Sequence, residues 1–484
     1  MAEQHPMVCA ARCSAVSLVS ACLLTGCMNF TPAYQRPVAP VAASYPLDLP
    51  AGALSGSTTG STTGSTAAAD IDWRQFFADA RLRRLIEVAL ANNRDLRVAV
   101  LNIDKARAAL RIQRADELPT VGVGLSAQRE PGSSGGLVNT YAAGFQMSSY
   151  ELDLFGRVRS LTEAARAEWL SSEASRQTVQ IALIAAVANG YLNLLADREL
   201  LAVTRDTLTT RQDSYRLTRL QFEHGAASEI DFRQAEQLLE GARATLAQTE
   251  RQQALDEDAL VLLLGQPMPA DLPAGLPLEQ QPGVGALPAG LPSDLLVRRP
   301  DVRAAEEQLL AANANIGAAR AAFFPRISLT ASEGTASNAL SGLFASGSFA
   351  FTGTATLLQP LFNAGRNQAT LDQARVNRDI AVAQYEKSIQ TAFREVADAL
   401  AGRATLSEQL RAQTAQARAA EITFKLADLR YRNGASSYLD VLDAQRASFA
   451  AQQATVQVQL QQVQNLVTLY QVLGGGWKAA SGPQ

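Results

Sequence analysis

The chain has 484 residues, and 43 Lys+Arg against 46 Asp+Glu leave a formal charge of -3, so no global field points to nucleic acid or another polyanion. Aromatics make up 6% of the chain while Ala, Leu, Gln and Arg abound, a composition that suits long helices packed side by side better than a compact enzyme core. All four cysteines (Cys9, Cys13, Cys22, Cys27) lie at the N-terminus and the only histidines are His5 and His224, which excludes a disulfide framework in the processed chain and any Cys/His zinc site.

Arg12 precedes a mostly apolar run from Ser14 to Thr25 that is too short to span a bilayer and ends on Thr25 and Gly26. This pattern predicts a signal peptide over 1–26. Leu24-Thr25-Gly26-Cys27 resembles the bacterial lipobox, in which the peptide is cut before the cysteine and the cysteine carries acyl chains. Two or three such chains hold a protein to a membrane stably where one holds it marginally. Met28 stands where an aspartate would favour inner-membrane retention, so the same resemblance implies sorting to the outer membrane. From Cys27 to Ala69 come Pro32, Pro37, Pro40, Pro46 and Pro50, then a Gly/Ser/Thr tract over Ser55 to Thr66. The segment 27–69 reads as a lipidated N-terminus and extended tether.

No proline occurs between Pro131 and Pro267 or between Pro360 and Pro483, while eight crowd the stretch from Pro267 to Pro300. Proline breaks helix interiors, so the free spans predict long helices and the segment 267–299 a connector between halves. Apolar residues recur at helical spacing, as in Val456, Leu460, Val463 and Leu466, and a helix from Arg157 to Phe222 would be roughly 100 Å long at about 1.5 Å per residue. The halves repeat. Displacing the sequence so that Asp95 meets Asp301 also brings Arg114 onto Arg320 and Pro119 onto Pro325. Further on, Leu217, Gly225, Ser228, Asp231, Leu260 and Gly265 fall on Leu426, Gly434, Ser437, Asp440, Leu469 and Gly474. A tandem duplication, 70–266 and 300–476, with a tail over 477–484, accounts for that register.

Period-two alternation marks two strands in each repeat, about 120–130 and 140–152, then 326–334 and 346–358. Val121, Val123 and Leu125 alternate with Gly122, Gly124 and Ser126, and Phe349, Phe351, Ala355 and Leu357 alternate with Ala350, Thr352, Thr354 and Thr356. Each is long enough to cross the hydrocarbon layer as a tilted strand, with one face for lipid and one for a lumen. No other part of the mature chain reads as a membrane span. Soluble hairpins packed on the helices are the alternative from pattern alone. Four strands leave two open edges, so a membrane version must borrow strands from copies of itself.

Five motifs then resemble the TolC-like outer-membrane factor family, in its NodT/OprM-type lipoprotein branch: Trp73-Arg-Gln-Phe76-Phe77, Tyr150-Glu-Leu-Asp-Leu-Phe155-Gly156-Arg157, Arg298-Arg-Pro-Asp301-Val-Arg-Ala-Ala-Glu306, Phe323-Phe-Pro325 and Tyr431-Arg-Asn-Gly434. The resemblance spans essentially the whole mature length. It implies an α+β membrane protein that forms, as a homotrimer, a twelve-stranded β-barrel continued by an α-helical barrel. It further implies a duct in the outer membrane that passes drugs, metals or other solutes, docked on a periplasmic adaptor and an inner-membrane pump of the resistance-nodulation-division (RND) type. No cofactor, catalytic residue or metal is implied beyond the acyl chains on Cys27.

Gly225 and Gly434 each follow a long helix and suit the left-handed conformation that ends it, and Ser228-x-x-Asp231 and Ser437-x-x-Asp440 read as capping boxes of helix-turn-helix tips. Asp443 and Arg446 fall opposite Gln234 and Gln237, so this charged pair exists in one repeat only. Leu439, Asp443 and Arg446 share one helix face. By the family resemblance that face points inward at the periplasmic end and implies a closed gate; read from the residues alone, it is a solvent-exposed ion pair. A periplasmic lipoprotein adaptor or structural coiled-coil protein is the rival from another class. It places one hairpin between nested β-domains, whereas here two hairpins alternate with two strand pairs. No phosphate loop or catalytic set appears.

Overall fold

Helix-favouring composition without proline gives this protein its longest elements. The computed structural model describes residues 29–45, 70–131, 135–281 and 298–477. The first half runs α1 (Trp73–Phe76), α2 (Ala80–Asn92), α3 (Arg94–Ala115), β1 (Val121–Pro131), β2 (Leu137–Leu152), α4 (Arg157–Glu223) and α5 (Glu229–Leu264). The second half runs α6 (Pro300–Ala321), β3 (Arg326–Ser337), β4 (Phe349–Leu358), α7 (Arg366–Arg432) and α8 (Tyr438–Val472). Equivalent helices match in length, with 22 residues in α3 and α6, 67 in α4 and α7, and 36 and 35 in α5 and α8. The chain is a tandem α+β repeat. The signal peptide expected over 1–26, Cys27, the Ser55–Thr66 tract, residues 282–297 of the connector and residues 478–484 lie outside the described residues.

The described chain divides into two compact units, one built from the chain up to Val38 with Asn102–Glu173 and Ala304–Glu386, the other from Ala39–Leu101, Ala174–Arg303 and the chain from Lys387. In the first unit the strands form one antiparallel sheet in the order β1-β2-β3-β4. Paired residues share a face, so the register aligns Leu125, Ala143, Thr335 and Phe349 in one row and Leu152, Ile327 and Leu357 in another. The other face carries rows such as Gln146, Ser332 and Thr352. Two charges interrupt the apolar face: Glu333, which pairs with both Phe145 and Phe351, and Arg129, which pairs with Asn139. The second strand begins at Leu137 rather than near 140, and the third runs on to Ser337, because the ladders continue to the pairs Pro131 with Leu137 and Tyr141 with Ser337. Gly124, Gly144 and Gly334 form one row, and a Cβ on Gly144 or Gly334 would run into the neighbouring strand's backbone. Among the described residues β1 and β4 each keep one edge without a partner.

Part of the expected tether is not a free leash. Residues 29–45 form no helix or strand, yet the start of this segment is fastened to the first unit. Phe30 stacks on Phe324 with ring centres 4.4 Å apart, and Asn313 donates to the Pro32 carbonyl at 2.8 Å. Arg36 holds buried Glu306 through two bonds of 2.7 Å, and the Tyr34 hydroxyl donates to the same carboxylate at 2.9 Å. Composition forecast the absence of regular structure but not these single-residue anchors, which need no periodic pattern.

The second unit is organised around Asp79, which is fully buried. Its Oδ1 caps α2 by accepting from the amides of Arg81 (2.7 Å) and Leu82 (3.3 Å). Its Oδ2 accepts from the Tyr191 hydroxyl (3.0 Å), the Leu276 amide (2.9 Å) and Gln281 Nε2 (2.7 Å), so one carboxylate joins α2, α4 and the start of the connector. Burial, with the Asp79 charge, raises the Tyr191 pKa above the ordinary tyrosine range. Nearby Phe76 stacks on Tyr470 at 4.0 Å, whose hydroxyl donates to the Ile71 carbonyl at 2.6 Å. Arg299 bonds Asp301 at 2.6 Å and Glu395 at 2.8 Å.

One sequence expectation needs correction here. By length and composition α4 also contains a stretch apolar enough to cross a membrane. Its side chains Ile181, Ile184, Val187, Ala188 and Leu192 are buried within the second unit, so they serve as a helical core.

Asp79→Ala removes the cap and leaves three further donors without their acceptor, so it lowers stability by about 3 kcal/mol or more in thermal unfolding of the detergent-solubilised protein. Asp79→Asn keeps an acceptor oxygen for the cap and falls between the two; equal melting of all three proteins would contradict this role.

Candidate functional site

The two helix-hairpin tips belong to the second unit and are built alike. At the end of α4 the Gly225 amide donates to Phe222 at 3.0 Å and the Ala226 amide to Gln221 at 2.7 Å; at the end of α7 the Gly434 amide donates to Tyr431 at 2.9 Å and the Ala435 amide to Arg430 at 2.8 Å. These are the paired bonds of a Schellman turn, and Gly225 and Gly434 take the left-handed φ of 72° and 73° that it requires. Three residues on, each return helix starts with a reciprocal cap. Ser228 and Asp231 serve α5, Ser437 and Asp440 serve α8, with each serine side chain accepting from the aspartate amide and each aspartate side chain accepting from the serine amide. These six residues shape turns and leave their charges at the surface.

Packing then decides which face of α8 is free. Tyr438, Val441 and Leu442 are buried against Ala235 and Leu238 of α5, with Tyr215, Phe424 and Tyr431 closing around them. Leu439, Asp443 and Arg446 therefore face out of the single chain, Leu439 with 49% of its surface exposed, and Asp443 meets Arg446 at 3.4 Å. The structure thus brings the three residues onto one free face. The tips are also tied to each other, since the Tyr431 hydroxyl donates to Gln221 Oε1 at 2.9 Å. Between α4 and α7 lies a groove of about 780 Å³ lined in part by Leu217, Thr218, Gln221, Phe424 and Asp428.

Sequence reasoning missed Arg211. It is buried, donates from Nη1 to the Leu238 carbonyl at 3.0 Å, and lies 5.1 Å from the Phe449 ring, so it pins α5 and α8 to α4 behind the free face. Burial, and then the charge of Arg446, lowers its pKa. Its counterpart in the second repeat is Ala420, so the comparison of repeats that isolates Asp443 and Arg446 would also have found it.

With that geometry in hand, comparison with known proteins is decisive. Residues 85–266 and 291–475 match the outer membrane efflux protein family. The chain belongs to that family. Among its relatives, the toluene efflux pump outer membrane protein TtgC of Pseudomonas putida is 49% identical over 472 residues, covering 96% of each chain. The outer membrane protein OprJ of Pseudomonas aeruginosa is 43% identical over 470 residues, again covering 96% of each. The open state of the MtrE outer membrane channel of Neisseria gonorrhoeae superposes with a TM-score of 0.83 at 40% identity, covering 93% of this chain and 99% of that one. This protein is accordingly an efflux channel of the outer membrane, and the family is one of ducts. Its five sequence motifs fall on buried aromatics, ion pairs and turns, which fits a scaffold for a passage.

Proposed function

We propose that three copies of the chain close a twelve-stranded barrel in the outer membrane and continue it as a barrel of helices into the periplasm, a passive exit for small molecules. The observation that carries this reading is the four-stranded sheet with one largely apolar face and an unpaired edge on each of β1 and β4. Hydrocarbon offers those edges no hydrogen-bonding partner, whereas strands of neighbouring copies do. The duct performs no chemistry and uses no cofactor. Energy comes from an inner-membrane RND-type pump, to which a periplasmic adaptor connects it; the groove between α4 and α7 has the form that receives a helix from such a partner. Relatives named for efflux pumps support this placement, and their names for toluene and antibiotics fit a cargo of small toxic solutes.

Two finer assignments belong to the same reading. Cys27 carries the acyl chains that anchor the N-terminus to the membrane, close to the point where Phe30 begins the fastened segment. Leu439, Asp443 and Arg446 narrow the periplasmic end, a reading supported by a face that is free in one chain and by a charged pair that only one repeat carries.

In planar bilayers, Asp443→Ala combined with Arg446→Ala raises single-channel conductance above that of the unsubstituted protein; an unchanged conductance removes the gate assignment. Cys27→Ala abolishes labelling by radioactive palmitate in growing cells, and persistence of the label would place the anchor elsewhere.

A further inference from the structure

The two repeats end their second strand on the same dipeptide but bury it differently. Leu154-Phe155 follows β2 and Leu361-Phe362 follows β4, and the two 67-residue helices begin shortly after each. Phe155 stacks on Phe324 with ring centres 5.0 Å apart, and Phe30 covers Phe324 from a second side. Phe324-Pro325 is the turn that leads into β3, the strand beside β2. Leu361 and Phe362, by contrast, are 93% and 90% exposed, above every other large apolar side chain among the described residues.

The turn equivalent to Phe324-Pro325 in the first repeat is Leu118-Pro119, which leads into β1, and Leu118 is 69% exposed. Within one chain Phe362 cannot sit on Leu118 as Phe155 sits on Phe324, because β4 and β1 are opposite edges of the sheet. Each half of the contact is therefore present, bare, at one free edge.

We propose that Phe362 of one copy packs on Leu118 of the next, reproducing between copies the seat that Phe155 and Phe324 form within one. A second copy is the occupant because the mate of this dipeptide inside the chain is the matching turn of the other repeat. The loop differs in a way that fits a longer reach. Gly156 alone separates Phe155 from Arg157, whereas Asn363, Ala364 and Gly365 separate Phe362 from Arg366. Two added residues extend the span by about 7 Å, and Ala364 and Gly365 bend it with φ of 51° and 82°. The smaller Leu118 in place of Phe324, with no counterpart of Phe30 above it among the described residues, leaves room that the longer loop fills.

This inference rests on the trimer reading, and the test separates the two. Leu118→Cys with Phe362→Cys is made in the full-length protein and oxidised in outer membranes. Covalent dimers and trimers that revert with reductant are expected. They should be absent from either single variant and from Leu118→Cys with Phe344→Cys, whose second thiol lies in the β3–β4 connection at the far end of the strands. Should the cysteines impair assembly, replacing Phe362 with p-benzoylphenylalanine keeps a ring there, and light should couple it to the tryptic peptide holding Leu118. Trimers on an unboiled gel without either cross-link overturn the contact and leave the trimer standing; a monomeric unsubstituted protein overturns both.

Discussion

A peptide amide left bare in hydrocarbon costs several kcal/mol. The β1-β2-β3-β4 sheet satisfies its inner ladders and leaves two outer ones. The repetition in the chain is consistent with resolving those edges by copies: a duplicated sequence, helices matched in length, and a dipeptide half-buried at the internal junction and bare at the outer one. A single copy presents unfinished hydrogen bonding; a closed ring of copies does not.

The residues that make the family recognisable are fasteners. Trp73, Phe76 and Phe77 fill a core beneath α8, Arg299 bridges Asp301 to Glu395, Glu306 holds the N-terminal segment, and Gly434 turns a hairpin. A duct has to hold its shape around a water-filled path, and its chemistry lies in packing and polar closure rather than in a pocket. The gate we propose lies on the face of α8 where Asp443 and Arg446 stand in place of Gln234 and Gln237 of the first repeat.

Much of this was legible in the sequence because its signals are periodic or positional. Proline-free runs gave the long helices, two-residue alternation gave the strands, and an ungapped register gave the duplication. What escaped reading was what depends on register between elements. Glu333 stands beside Phe145 and Phe351 only once three strands are aligned. Asp79 gathers donors from positions up to 202 residues away. Phe30, Tyr34 and Arg36 dock through single side chains in a proline-rich stretch that has no period to detect. The apolar run of α4 resembles a membrane span until its burial is seen.

The most direct measurement of the central claim is single-particle imaging of the full-length protein in lipid nanodiscs. The account predicts a threefold ring of twelve strands around a lumen, with β4 of each copy hydrogen-bonded to β1 of its neighbour. A lone chain whose sheet lies outside the bilayer with both edges unpaired would contradict it.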